Sequence, residues 1–81
     1  NKLILTNKNI KSIWNFTFRN MSIEILDLSM NNIEFIESKA FDEIKEIKSL
    51  ILKSNNLKKL FEFEDCCIKL QNLDLSSNEL Y

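Results

Sequence analysis

The chain carries four short blocks in which apolar and polar residues alternate in the same way. They read LILTNKNI, LDLSMNNI, LILKSNNL and LDLSSNEL and begin at Leu3, Leu26, Leu50 and Leu73, so the middle interval is one residue longer than the two on either side. Period-2 alternation of this kind predicts a short β-strand with its leucines on one side. A strand so short cannot bury that side alone, so we expect the four copies to lie side by side and parallel.

One stretch of the chain also admits a helical interpretation. An apolar stripe with the spacing of an amphipathic helix runs through Phe41, Ile44, Ile47 and Ile51. However, residues 50–52 are three consecutive apolar residues, which a one-sided helix does not explain. The strand repeat accounts for them, and we therefore favour it.

Asparagine occupies one position of the last three blocks, at Asn31, Asn55 and Asn78. The chain has no glycine and no proline. A short amide side chain can supply both a donor and an acceptor to backbone groups left unpaired in a turn, so we predict a ladder of stacked asparagines. Lys8 stands at this position in the first block. Either the first repeat is distorted or a neighbouring asparagine substitutes, and we favour distortion because terminal repeats are commonly atypical.

Together these features resemble the leucine-rich repeat family, whose pattern is L-x-x-L-x-L-x-x-N-x-L with a period of about 20–29 residues. The resemblance covers residues 1–81 as one segment. It implies an α/β fold, a right-handed solenoid of about four repeats with a short parallel sheet on its concave face. The convex face is expected to be mostly irregular or short helical. Ser38 followed by acidic residues predicts a short helical segment from about Lys39 to Lys45.

The repeat length and Phe41, nine residues before Leu50, resemble the typical subclass of the family. That subclass is abundant in extracellular proteins such as Toll-like receptor ectodomains. The resemblance therefore implies recognition outside the cell, at the cell surface or in a secreted protein, with flanking repeats in the same chain. Three departures leave a cytoplasmic location open. Cysteine-rich caps are absent, Thr17 and Glu64 stand where the Phe is expected, and Lys8 interrupts the asparagines.

The repeat register predicts which side chains point out of the concave sheet. One row across the four strands consists of Ile4, Asp27, Ile51 and Asp74, and Lys53 and Met30 lie in the next rows toward the strand ends. Repeat proteins usually bind through such an extended curved face. These six residues are therefore the predicted contacts for a protein or other macromolecular ligand. The alternative is that they are only solvated strand residues.

Two glycosylation sequons precede the second block, Asn15-Phe16-Thr17 and Asn20-Met21-Ser22. A chain so rich in asparagine, serine and threonine would contain about that many by chance. Asn20 aligns with Ile44, which points toward the predicted core, so Asn15 is the better predicted acceptor.

The remaining candidate residues are given structural roles. Cys66 and Cys67 are adjacent, too close for an unstrained disulfide and without the second pair that zinc would need. We expect Cys67 to be buried, while Cys66 points outward and could pair with a cysteine elsewhere. Trp14, Phe16, Phe61 and Phe63 are expected to pack the convex wall, and Glu62, Glu64 and Asp65 to form a solvated loop and not a calcium site.

Composition excludes several classes of function. Without glycine the chain has no phosphate-cradling loop, and without histidine it lacks the commonest general base. A formal net charge of -1 shows no excess of positive charge of the kind that nucleic-acid binding requires. No apolar run is long enough to cross a bilayer. No nucleophile–base pair is visible, so we expect no catalysis, no cofactor and no metal.

Two functions compete on the sequence. The first is a recognition segment of a receptor-type ectodomain, whose exposed rows form part of a binding surface. The second is a set of structural spacer repeats, or an intracellular adaptor, with no specific binding site in this segment.

Overall fold

The computed structural model describes residues 1–58 and 70–80, and they form two parallel sheets. The strands are β1 (Lys2–Ile4), β2 (Ser12–Ile13), β3 (Ile25–Asp27), β4 (Phe35–Ile36), β5 (Ser49–Ile51) and β6 (Asn72–Asp74). β1, β3, β5 and β6 pair in that order, and β2 pairs with β4. Each strand of the larger sheet contains the leading leucine of one block, and these leucines stand in register. The prediction of parallel strands, side by side, is confirmed.

The core lies behind the larger sheet and is built from the inward residues of each block. Leu26 and Leu28 on the second block, and Leu50 and Leu52 on the third, are completely buried. Removing such a side chain from water contributes about 1.5–3 kcal/mol each. Leu73 of β6 is 37% exposed although it occupies the same position. Burial therefore depends on having a neighbouring repeat on both sides.

The segment from Lys39 to Lys45 is not a helix, so that prediction is wrong. It is a series of turns, in which the N–H of Ala40 donates to the carbonyl of Glu37 at 3.0 Å. Glu43 has φ 63° in the left-handed region, which ends any right-handed helix. The Lys39 carbonyl instead accepts the Phe16 N–H at 3.0 Å. Within the described residues the fold thus contains strands and turns but no helix.

Phe18, and not Thr17, is the equivalent of Phe41. Their rings stack with centroids 6.1 Å apart and planes at 11°, and both side chains are buried. Thr17 is exposed. The prediction that the first repeat lacks this phenylalanine is therefore wrong.

The extra residue of the second repeat lies close to the start of β5. The sequence separation between the paired residues Ser22 and Lys45 equals that between the first two blocks. The separation between the paired residues Ile25 and Ser49 is one residue longer. The additional residue must fall between these two pairs. Glu46 lies there with φ 64°, so the backbone takes up the insertion in a local left-handed kink. Counting back from Leu50 therefore misplaces every residue before Glu46 by one.

Candidate functional site

The asparagine of each turn is hydrogen bonded to its own repeat and to the one before it. The Asn55 Nδ2 donates to the carbonyls of Leu28 and Leu52, both at 3.0 Å. Its Oδ1 accepts the Ile33 N–H at 3.1 Å. Asn55 is only 5% exposed. One amide group thus bonds to backbone groups of two successive repeats, and it is the partner of the buried Ile33 N–H.

The same bonds recur at the other two asparagines. The Asn31 Nδ2 donates to the Leu5 carbonyl at 2.9 Å, and its Oδ1 accepts the Ile10 N–H at 3.2 Å. The Asn78 Nδ2 donates to the Leu52 carbonyl at 2.9 Å, and its Oδ1 accepts the Leu57 N–H at 3.0 Å. The structure therefore brings Asn31, Asn55 and Asn78 into one stack.

The first repeat keeps the backbone of the others despite Lys8. The Lys8 N–H donates to the Asn31 Oδ1 at 2.8 Å, so the asparagine of the second repeat serves the first. Around this turn the departure from the other repeats is small and lies at Asn9, whose φ is 57°, in the left-handed region, unlike its equivalents Asn32 and Asn56. The predicted distortion is thus limited to one residue of the turn.

A left-handed residue precedes each asparagine position, which sequence reasoning missed. The φ values are 55° at Asn7, 56° at Met30, 59° at Ser54 and 57° at Ser77. Glycine would suit this conformation best, but the chain contains none. A side chain here is unfavourable by about 1–2 kcal/mol, and least so for asparagine. The signal available in the sequence was Asn7, since asparagine at a strand end is typical of left-handed turns.

The solvent side of the larger sheet, which we name the open face, carries the predicted contact residues. Strand register places Ile4, Asp27, Ile51 and Asp74 in one row. Ile4 is 55% exposed, and the other three are half-buried. Beyond the strand ends, the Met30 N–H donates to the Lys53 carbonyl at 2.9 Å, and both side chains are exposed. Met30 and Lys53 therefore lie beside each other, just beyond the ends of β3 and β5, whose Asp27 and Ile51 belong to this row.

Both aspartates of the open face are held in place by a serine two residues later. The Asp27 Oδ1 accepts the Ser29 N–H at 3.0 Å and the Ser29 hydroxyl at 2.7 Å. The Asp74 Oδ1 accepts the same two groups of Ser76 at 3.0 and 2.6 Å. The hydroxyl bond from Ser76, then its N–H, and the positive charge of Lys53 lower the pKa of Asp74 below its ordinary value. Asp74 is therefore an anion at neutral pH.

An exposed pair of aromatic rings lies on the opposite side of the molecule. Trp14 is 59% exposed and contacts Phe35, 50% exposed, with ring centroids 5.9 Å apart at 60°. Ile13 and Ile36 fill the inward positions of β2 and β4, which leaves Trp14 and Phe35 outside. We call these two residues the aromatic pair. The prediction that Trp14 packs the interior of the wall is wrong.

Phe16 is also more exposed than predicted. Its ring is 38% exposed and lies under the Arg19 guanidinium, whose central carbon is 5.4 Å from the ring centroid. Arg19 in turn pairs with Glu43, Nε to Oε2 at 3.2 Å. These side chains cover the surface of the turns and do not fill the core.

Both sequon asparagines are exposed. The Asn15 Oδ1 accepts the Lys39 N–H at 2.9 Å, and its own N–H donates to the Glu37 Oε1 at 2.7 Å. Asn20 has φ 63°, and its N–H donates to the Glu43 carbonyl at 2.9 Å. Asn20 is therefore opposite Glu43, one residue away from its predicted equivalence with Ile44, and the prediction that it points toward the core is wrong.

Several predicted features lie outside the described residues, namely Cys66, Cys67, Phe61, Phe63, Glu62, Glu64 and Asp65. Among the residues that are described, no group of three or more His, Cys, Asp or Glu side chains is placed to hold a metal ion. The same part of the chain contains no helix of the length and apolarity needed to span a membrane.

Comparison with known proteins adds one match. A family model described as leucine rich repeat matches residues 1–57, which include β1 to β5 and the first two asparagines of the stack. No curated protein and no solved structure matches the chain.

Proposed function

This chain belongs to the leucine-rich repeat family, and we propose that its open face is a protein-binding surface of a receptor-type ectodomain. Leucine-rich repeat domains generally mediate protein–protein recognition and are typically non-catalytic scaffolds. We further propose that the stacked repeats form a right-handed solenoid, with the open face on its concave side, outside the cell.

The observation that carries the proposal is the mixed character of the open face. Parallel sheets are normally covered on both sides, yet here the row from Ile4 to Asp74 remains accessible to solvent. Along that row isoleucine alternates with aspartate. Apolar side chains can supply contact area to a partner, while the carboxylates select its orientation and charge.

The rigidity of this face also supports binding. The serine bonds fix Asp27 and Asp74, and the asparagine stack fixes the turns that follow the strands. A surface whose side chains are already ordered loses less entropy when a partner binds.

Met30 extends the surface toward the asparagine turns. It has φ 56°, a conformation that a methionine adopts only with strain, and its side chain is 57% exposed. Asparagine or serine fills the equivalent position of the other three repeats. An exposed apolar residue at a strained position supports a role in contact with a partner.

The edge of β6 supports a longer array. Leu73 is 37% exposed there, whereas its equivalents Leu26 and Leu50 are fully buried by a repeat on each side. A further repeat of the same chain, stacked in the same register on β6, would cover Leu73 in the same manner.

The test is a double substitution on the open face, Asp27→Arg with Ile51→Glu. The matched control is Glu34→Arg with Met21→Glu, which makes the same changes of charge and polarity at exposed positions away from that face. Each immobilised protein is offered two separate preparations, one of cell-surface and secreted proteins and one of cytosolic proteins. The retained proteins are quantified by mass spectrometry.

We expect proteins from the extracellular preparation to be retained by the original chain and the control, and lost with the open-face variant. Retention of the same proteins by all three would rule out the open face as the binding surface. Selective loss only in the cytosolic preparation would indicate an intracellular adaptor, and no selective binding in either would indicate spacer repeats.

A further inference from the structure

We propose that Asn15 carries an N-linked glycan whose first sugar covers the aromatic pair. This inference rests on the extracellular placement given under the proposed function, but it concerns the opposite side of the molecule. It starts from two features that the open face does not explain. One is the exposed contact between Trp14 and Phe35, and the other is the sequon beside it.

The aromatic pair leaves apolar surface in water. Trp14 and Phe35 are 59% and 50% exposed, although they contact each other. Large aromatic rings bury about 150–250 Å² when covered, so exposing half of two neighbouring rings is unfavourable. An occupant that lies on these rings would reverse that loss.

The folded position of the Asn15 side chain can accommodate a sugar on Nδ2. Its Oδ1 accepts the Lys39 N–H at 2.9 Å, which fixes the plane of the amide against the second repeat. Its Nδ2 has no acceptor among the described residues, and the residue is exposed. Because an N-linked sugar replaces one hydrogen of Nδ2 and leaves Oδ1 free, the Lys39 hydrogen bond and the glycan are compatible.

Asn15 and Trp14 are consecutive, and both side chains contact the second repeat. Consecutive Cα atoms are about 3.8 Å apart. Trp14 lies against Phe35, while Asn15 is tied to Lys39 and Glu37. A sugar on Nδ2 therefore begins within one residue of the aromatic pair. The C–H groups on one side of a pyranose are attracted by the negative face of an aromatic ring.

The modification is a nucleophilic substitution at C1 of the first sugar. The Asn15 Nδ2 attacks C1 of the first N-acetylglucosamine of a lipid diphosphate-linked oligosaccharide. The N–C1 bond forms, and the C1–O bond to the diphosphate breaks, its electron pair leaving on the diphosphate oxygen. One N–H bond of Nδ2 breaks, and its proton passes to solvent. Transfer takes place on the unfolded chain, and folding then sets where the first sugar lies.

Asn20 provides the internal control, since it is also an exposed sequon asparagine. Arg19 precedes Asn20, and Glu43, whose carbonyl accepts the Asn20 N–H, forms an ion pair with Arg19 at 3.2 Å. A sugar at Asn20 would therefore lie beside charged groups, and removing it should leave the environment of Trp14 unchanged.

The first part of the test maps the glycan. The full chain is secreted from eukaryotic cells behind a cleavable leader, as the original sequence and as Asn15→Gln and Asn20→Gln. Glycans are removed by an amidase in heavy-oxygen water, which marks each former glycan site as a labelled aspartate for mass spectrometry. We expect the label at position 15 and its loss in Asn15→Gln. A secreted original chain without label at position 15 would overturn the proposal.

The second part asks whether the sugar covers the rings. Trp14 is the only tryptophan in the chain, so its fluorescence reports this site alone. After trimming to a single N-acetylglucosamine, the original chain should show weaker quenching by acrylamide and shorter-wavelength emission than Asn15→Gln. Asn20→Gln should match the original chain. Equal quenching in the original chain and Asn15→Gln would refute the contact.

Failure of this inference and failure of the proposed function are separable. Glycan mapping and Trp14 quenching need no partner protein, and the open-face substitutions at Asp27 and Ile51 lie away from the aromatic pair. Loss of the partner result therefore leaves this test standing, and an unmodified Asn15 leaves the binding test standing.

Discussion

The two sides of the molecule join neighbouring repeats in different ways. On the sheet side, made by the four-stranded sheet and the asparagine stack, equivalent residues bond to one another in every repeat. Leu26 pairs with Leu50, and the Nδ2 of Asn31 and of Asn55 each donates to the carbonyl of the leucine three residues earlier. On the outer side, made by residues 12–22 and 35–46, the inward residues are alike between repeats, as in the Phe18–Phe41 stack. The surface contacts there differ from one repeat to the next, as does that of the Asn15 Oδ1 with the Lys39 N–H.

This difference explains where the repeat length can vary. The sheet side transmits one register from β1 to β6, so a residue added there would displace every later contact. On the outer side the surface contacts are individual, and the extra residue at Glu46 is absorbed between Lys45 and Ser49. The comparison teaches that the sheet side defines the repeat and the outer side distinguishes one repeat from another.

Single-residue deletions should show the largest difference in stability between changes on the sheet side and changes on the outer side. Deleting Ser54 shifts Asn55 and Leu57 out of register with Leu50. We therefore expect the free energy of unfolding to fall by at least the roughly 2–5 kcal/mol that truncating one large core side chain costs. Deleting Glu46 removes a left-handed residue and restores the shorter spacing of the first repeat. We expect it to change stability by less than about 1 kcal/mol.

Urea unfolding followed by far-ultraviolet circular dichroism measures both deletions. A Ser54 deletion no more harmful than the Glu46 deletion would show that the sheet side tolerates changes of length as well as the outer side does. The contrast between the two sides would then be wrong.

Substituting Asn55 should have the next largest effect. Asn55→Ala leaves the buried Ile33 N–H without its partner and removes one of the two amide donors to each of the Leu28 and Leu52 carbonyls. We expect a loss of about 1–3 kcal/mol in the free energy of unfolding, the range for buried polar groups left without partners.

The control for this substitution is the next residue along the chain. Asn56 is exposed, and its side chain has no hydrogen-bond partner among the described residues. Asn56→Ala should stay within about 0.5 kcal/mol of the original chain. Equal losses of stability from the two substitutions in urea unfolding would mean that the buried Asn55 amide stabilises the fold no more than the exposed Asn56 amide does.

The sequence predicted the sheet side well because its pattern is local and repeated. Period-2 alternation around Leu26 and Leu50, recurring at nearly equal intervals along the chain, determined the strands and their register. The rows of the open face followed from that register, since a strand alternates its side chains between two faces.

The outer side was predicted poorly because its conformation depends on contacts with the neighbouring repeat. Ser38 and the acids after it suggested a helix, but the backbone from Lys39 onward bonds to the first repeat instead. Phe18 was missed because the insertion at Glu46 cannot be located from spacing alone. The exposure of Trp14 followed from which residues filled β2 and β4, a packing result that no short motif encodes.

The prediction with the smallest expected effect asks whether the repeated hydrogen bonding of the sheet side includes the aspartates of its open face. Because the pKa of Asp74 is lowered in the folded chain, the carboxylate stabilises the fold above its ordinary pKa, and this contribution is lost as pH falls through the folded value. Ser76→Ala removes the hydroxyl bond, the largest cause, and keeps the Ser76 N–H. The pKa of Asp74 should therefore rise toward its ordinary value, and the acid loss of stability should weaken.

Titration of the Asp74 side-chain carboxyl signal by nuclear magnetic resonance measures this rise, with Ser38→Ala as the control because Ser38 is an exposed serine on the outer side. The expected change is small because Asp74 is accessible to water, which screens the interaction. A pKa of Asp74 that Ser76→Ala leaves unchanged would mean that the serine does not hold the carboxylate in solution. The hydrogen bonds that repeat along the sheet side would then involve only its backbone and its asparagines. Any ordering of the open-face carboxylates would have to come from a bound partner.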